Sequence, residues 1–267
     1  MGKQVIWGRR EAAGVCQICR LDRSYNVVGK SALKNNIKVR SIVLPEIQVI
    51  ENQAFQGCTS LKKVSFPNLI TLKREAFSGC SNLKSITFPD TLTRVEESAF
   101  GKCKRIEEVS FGDRHEIKCI PAQMFAECRE LSRISLPGGV ETVGTRAFYK
   151  CESLREICLP DSVKRVGREA FYQCGFQELI LPEQLEDIGD SAFLKCKSLE
   201  YVRIPVSVRK IGRWAFHGCG RLKMLEFCHD PDEVGDWITN KNCVIRCRQG
   251  SAMEQYALRF GIHVAHF

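Results

Sequence analysis

The sequence predicts a strand-rich α/β repeat solenoid of about nine turns of ~23 residues, and three observations carry that prediction. An Ala-Phe pair or close variant recurs, with its aromatic at Phe55, Phe77, Phe100, Phe125, Phe148, Phe171, Phe193 and Phe216, at spacings of 22, 23, 25, 23, 23, 22 and 23 residues. Each Phe is followed three residues later by a cysteine: Cys58, Cys80, Cys103, Cys128, Cys151, Cys174, Cys196 and Cys219. A segment of the form apolar-x-x-apolar-x-apolar-Pro keeps the same phase, cleanest at residues 83–89 and 154–160. A unit this short cannot bury its own apolar face. Stacking units in register supplies a continuous core and a continuous parallel sheet, roughly 40 Å long at about 4.8 Å per turn.

The Pro-terminated segment alternates as a strand does. Seven of the nine prolines (Pro45, Pro67, Pro89, Pro137, Pro160, Pro182, Pro205) close it, where a residue without an N–H ends pairing; Gly112 and Cys228 stand there in two further copies. Between Pro and Phe lies apolar-x-x-apolar-Gly, as at 140–144, 163–167, 185–189 and 208–212, with the glycine placed for a tight corner. Residues 28–33 read as a degenerate copy, with Leu33 for Phe and Asn36 for Cys, which brings the count to nine turns.

Both ends read as caps. Residues 15–21 are expected to pair as a cap strand, and 243–247 and 262–264 as strands. Between the last two, Ser251-Ala252-Met253-Glu254 is a capping box, Met253, Tyr256, Ala257 and Phe260 share a face, and Gly261 stops a helix over 251–260. The expected organisation is a basic N-terminal cap (1–24), a solenoid (25–228) and a C-terminal cap (229–267) in a single folded domain.

The unit resembles that of the BspA-like, or Treponema-type, leucine-rich repeat family over about residues 25–228: Cys-x-x-Leu-x-x-Ile-x-Leu-Pro-x-x-Val-x-x-Ile-Gly-x-x-Ala-Phe-x-x-Cys. The resemblance implies a right-handed solenoid with a parallel sheet on its concave side, formed by the Leu-x-x-Ile-x-Leu-Pro segments. It also implies binding rather than catalysis, since family members are commonly bacterial surface proteins that bind host or bacterial proteins.

Composition narrows the class. The 267 residues are 44% hydrophobic, too apolar for disorder, and the longest apolar runs fall far short of the ~20 residues of a membrane span, so no membrane insertion is expected. The opening Met-Gly-Lys-Gln-Val-Ile has no apolar signal region, and Ile6 breaks the myristoylation pattern. One thiol per turn and the missing signal favour the cytoplasm, whereas the resemblance favours secretion or the cell surface. The net charge of +9 is concentrated: residues 1–40 hold nine basic and two acidic residues, +7, against +2 for all the rest. Polyanion or nucleic-acid binding through that end is therefore the alternative to protein binding, although no aromatic platform or reading motif supports it.

No catalytic constellation emerges, and neither a cofactor nor a metal is expected. The cysteine ladder reads as buried reduced thiols, because stacked Cβ atoms ~4.8 Å apart lie outside the usual ~3.5–4.5 Å of a disulfide and a linear row is not tetrahedral. Cys16 and Cys19 have redox spacing without a thioredoxin-like context, so thiol or metal chemistry there ranks last. Cys228, His229, Cys243 and Cys247 could gather around zinc, but Cys243, Ile245 and Cys247 alternate like a buried strand face. Gly29-Lys30-Ser31 lacks the upstream glycine of a phosphate loop, with Ser24 in its place. The five histidines (His115, His217, His229, His263, His266) share no spacing with a nucleophile or carboxylate pair. On the turn side, Lys164, Arg165, Arg168, Arg209, Lys210 and Arg213 alternate with Glu186, Asp187 and Asp190 as a solvated mixed surface.

What remains is the outward face of the alternating strands. It is basic in its first three strands and mixed afterwards, with Cys158, Ile180, Tyr201 and Met224 interrupting the polar row. The candidate partner-binding residues are Arg40, Lys62, Lys63, Lys84, Arg133, Arg155, Ile180, Tyr201, Arg203 and Met224, for a protein partner and a monomeric chain.

Overall fold

The computed structural model describes residues 5–112 and 116–267. Lys3 of the basic end, the opening residues 1–4 and His115 lie outside the described residues. Each turn contributes to three walls around one apolar core.

The first wall is a ladder of short parallel strands, five from Ile6–Trp7 to Arg94–Val95 and six from Cys119–Ile120 to Glu233–Val234. It extends the sequence count to about eleven turns. Ile6 pairs with Val27 at one end and Glu233 with Lys210 at the other, so segments that read as caps carry the repeat register themselves. The ladder parts only where the 25-residue spacing adds residues, between Arg94–Val95 and Cys119–Ile120.

The second wall carries the Pro-terminated strands. It is not the continuous sheet that stacking predicts but three parallel pieces. Ile18–Arg20, Ser41–Val43 and Lys63–Ser65 form one; Ser85–Phe88, Glu108–Phe111 and Arg133–Ile134 form the next. The last joins Tyr201–Ile204, Met224–Phe227, Val244–Cys247 and His263–His266. Between the second and third pieces the isolated bridge Ser135–Cys158 is the sole β-pairing among the described residues.

The third wall contains the Phe and Cys positions. Alternate N–H groups point at the next turn: Gln53 to Arg74 O (3.0 Å), Phe55 to Ala76 O (2.8 Å) and Gly57 to Ser78 O (2.8 Å). The N–H groups between them close local turns, Ala54 to Glu51 O and Gln56 to Gln53 O. This alternation requires left-handed backbone twice per turn, and non-glycine residues supply most of it, as at Gln53 (φ 58°), Arg146 (56°), Lys150 (58°) and Trp214 (59°). Each such residue costs on the order of 1 kcal/mol, offset here by the inter-turn bond.

The glycines of apolar-x-x-apolar-Gly do something other than turn a corner. None of Gly144, Gly167, Gly189 or Gly212 has positive φ. They allow backbones to touch: a Cβ on Gly144 would lie 2.7 Å from Ile120 O, and one on Gly212 2.3 Å from Asp190 N.

The core runs the length of the stack. The eight repeat phenylalanines are fully buried and stack in a file, with centroids from 4.9 Å (Phe55–Phe77) to 6.0 Å (Phe100–Phe125), the widest step falling at the enlarged unit. At the C-terminal end the helix Ala252–Phe260 closes the core with Met253 and Ala257 buried. Ser251 Oγ accepts the Glu254 N–H, and Gly261 ends the helix at φ 63°. Asp230 accepts the Ala252 and Met253 N–H groups, and the Tyr256 hydroxyl donates to Gly235 O while accepting from Ile238 N–H. No helix among the described residues is long and apolar enough to cross a membrane.

Candidate functional site: the long-strand face and its groove

The cysteine ladder is structural in a specific way. Each ladder thiol donates to the carbonyl of the preceding turn, for example Cys58 Sγ to Leu33 O (3.1 Å), Cys80 to Phe55 O (3.2 Å) and Cys219 to Phe193 O (3.2 Å). Asn36 takes the equivalent place, donating to Val15 O and accepting from the Lys38 and Val39 N–H groups. Burial pushes the thiols of Cys80, Cys128, Cys151, Cys174 and Cys196 well above the usual range, so they stay protonated donors.

The other cysteine groupings do not converge. Cys16 is exposed and donates to Gly14 O, while Cys19 is buried beneath its strand and pushed up to about 11 by desolvation. His229 Nε2 lies 2.7 Å from Val208 O, and Cys243 and Cys247 point into the core. Among the described residues no three His, Cys, Asp or Glu side chains gather as metal ligands. On the turn side, Lys210 pairs with Glu233 (2.7 Å), Arg213 with Asp190 (3.4 Å) and Arg168 with Glu169 (3.3 Å).

The long-strand face places the candidate partner-binding residues on one surface. Arg40, Lys62, Lys63, Lys84, Arg133, Arg155, Ile180, Tyr201 and Arg203 are exposed there, and Met224 is half-buried. Lys62 N–H donates to Arg40 O and Gln177 N–H to Arg155 O, which stacks these positions turn upon turn. Charge compensation divides the face. Lys84 pairs with Glu107 (3.7 Å), Arg133 with Glu108 (3.4 Å) and Arg203 with Glu183 (3.4 Å), whereas Arg40, Lys62 and Lys63 make no ion pair among the described residues.

A groove of about 610 Å³ opens where the face is broken. It is lined by the buried Leu179, Leu181 and Pro205, by the exposed Ile180 (82%) and Tyr201 (46%), and by the charged Glu178, Glu200 and Arg221. Along 177–181 the Gln177 N–H is the only backbone group bonded to a neighbouring turn, and the near edge of Tyr201–Ile204 is open among the described residues. Lys223 holds the Glu200 carboxyl below its ordinary range, and partial burial beside Glu226 raises the Tyr201 phenol.

Sequence reasoning singled out Ile180 and Tyr201 but not the groove between them. The signal was one residue long. Cys and closing Pro are nine positions apart in Cys58/Pro67, Cys80/Pro89, Cys128/Pro137, Cys151/Pro160 and Cys196/Pro205, but eight apart in Cys174/Pro182. The shortened turn is drawn tight at Gly175, where a Cβ would sit 2.4 Å from Glu152 O.

This architecture defines a class of repeat scaffold, and comparison assigns the family. The BspA type leucine rich repeat region profile matches residues 26–119 and 118–244 in six copies, so the chain belongs to that family. Among solved structures it is similar to a leucine-rich repeat protein from Bacteroides ovatus (18% identity, 94% of this chain and 92% of that one covered, TM-score 0.58). It is also similar to the pneumococcal vaccine antigen PcpA (17% identity, 94% and 79% covered, TM-score 0.59). At these identities the likeness establishes the fold. No curated protein matches the chain.

Proposed function

We propose that the chain is a non-enzymatic, monomeric scaffold that captures a protein partner on its long-strand face. The observation that carries this reading is the groove, where exposed Ile180 and Tyr201 flank backbone groups that the solenoid leaves unpaired. Family membership supports it, because leucine-rich repeats are scaffolds whose framework residues stack and whose outward residues are free to vary.

The test uses paired baits, the wild-type chain and an Ile180→Asp/Tyr201→Ala variant, in affinity capture at moderate salt. A protein retained by the first and lost from the second supports the reading; a partner held equally by both removes the groove from it. Protonated thiols donating along the whole ladder favour a reducing compartment, and we place the chain in the cytoplasm. Recovery from the cell surface or culture medium of the source organism would overturn that placement and favour export.

A further inference from the structure

The first long strand, Ile18–Arg20, pairs with Ser41–Val43 and has no partner on its other edge among the described residues. Ser41 N–H donates to Gln17 O and Leu21 N–H to Val43 O, so residues 17, 19 and 21 bond to the neighbouring strand. The N–H and C=O groups of Ile18 and Arg20 therefore point off the end of the solenoid. Ile18 is 71% exposed and Ile37 67%.

The charge at this end is uncompensated. Both acidic residues of the first 40 are occupied locally, Glu11 by the Gly8 N–H and Asp22 by Ser24. Arg23–Glu46 at 3.8 Å is the sole ion pair from that stretch among the described residues. Arg20 stands exposed on the edge strand itself, Arg40 at the start of the next strand, and Lys62 and Lys63 at the start of the strand after that, all on the same sheet.

We propose that this edge docks an extended acidic peptide segment as an added strand. The inference rests on the protein-binding reading above and names the chemistry of the partner. An open strand edge needs alternating N–H and C=O groups, which a peptide backbone supplies and a nucleic-acid backbone does not. The cations select carboxylates, the exposed isoleucines favour interleaved apolar side chains, and like charge repels the same end of a second copy.

The probe is an acetylated, amidated Glu-Val-Glu-Val-Glu-Val-Glu peptide binding to the full chain, with Lys-for-Glu and Gln-for-Glu versions and a thymidine oligonucleotide of matched charge for comparison. The acidic peptide is expected to bind most tightly and to slow exchange of the Ile18 and Arg20 amides. Ile18→Pro removes an outward N–H without touching a bond to Ser41–Val43, and is expected to weaken binding about tenfold with its charge unchanged. Arg40→Glu/Lys63→Glu is expected to weaken it at least tenfold while leaving the edge intact.

Unchanged exchange at Ile18 and Arg20 in the peptide-saturated wild-type chain overturns the proposal. So does a folded Ile18→Pro variant that binds as wild type does, or an oligonucleotide that binds more tightly than the peptide. Should Ile18→Pro not fold, the exchange measurement on the wild-type chain decides. None of these outcomes touches the Ile180→Asp/Tyr201→Ala comparison, so failure at the edge and failure of the scaffold reading are told apart.

Discussion

The Phe-Cys wall and the long-strand face are built from the same repeating unit, yet the first holds its phase from Ser31 to Asn240 while the second is cut into three pieces. The difference lies in what holds each. The wall is fixed by a stacked ring and a thiol bond in each of the eight Phe-Cys turns as well as by backbone, so a longer or shorter unit stretches it without breaking it; the 25-residue unit costs it a widening to 6.0 Å between Phe100 and Phe125. The strand face depends on backbone register alone: it parts between Lys63–Ser65 and Ser85–Phe88, where the units keep their full length, and again over the turns that include the one shortened between Cys174 and Pro182.

The largest expected effect breaks the wall. Phe148→Ala removes a fully buried ring between two stacked neighbours and should cost about 3–5 kcal/mol in denaturant titration. Ile180→Ala on the face should stay within about 0.5 kcal/mol.

Alkali should attack the same wall. Thiols whose ionisation is raised on folding stabilise the native state below the unfolded cysteine value of ~8.5 and lose that contribution as pH rises above it. Melting temperature should fall progressively above about pH 9, with the core thiols and Cys243, pushed up to about 11, responding together. A Cys151→Ala/Cys174→Ala variant should show a shallower alkaline slope, and an unchanged slope would contradict the burial argument.

Gly212→Ala should destabilise by about 1–3 kcal/mol, because the new methyl meets Asp190 N at 2.3 Å in backbone that cannot step aside. The smallest effect sharpens the contrast without unfolding anything. Amides of Glu178 and Ile180, without partners among the described residues, should exchange orders of magnitude faster than Phe171, whose N–H is bonded to Ala192 O at 2.8 Å.

The wall was legible in the sequence because Phe, Ala and Cys at fixed offsets admit few structural explanations, and the helix at 252–260 was legible from its caps. The break was not, since Phe176, Leu179 and Leu181 continue the apolar alternation straight through it. The outermost turns escaped notice for a related reason: Trp7 and Val234 sit in the register without a Phe or Cys to mark it. Left-handed positions such as Gln123, Glu169 and Trp237 carried no glycine to announce them.

The bonds of the Phe-Cys wall have one further consequence. From Gln53 through Phe216, the N–H of the earlier turn donates to the carbonyl of the later one, so the peptide dipoles of this wall add along the solenoid axis. Their negative, carbonyl end faces the N-terminal turns, where Arg9, Arg10, Lys30 and Lys34 cluster. Their positive end faces the last turn, where Asp230, Asp232, Glu233 and Asp236 follow one another. The acidic run thus lies where this wall presents N–H groups and the basic run where it presents carbonyls, while bonds of the first ladder, such as Gly29 N–H to Trp7 O and Gly212 N–H to Ile188 O, run the opposite way.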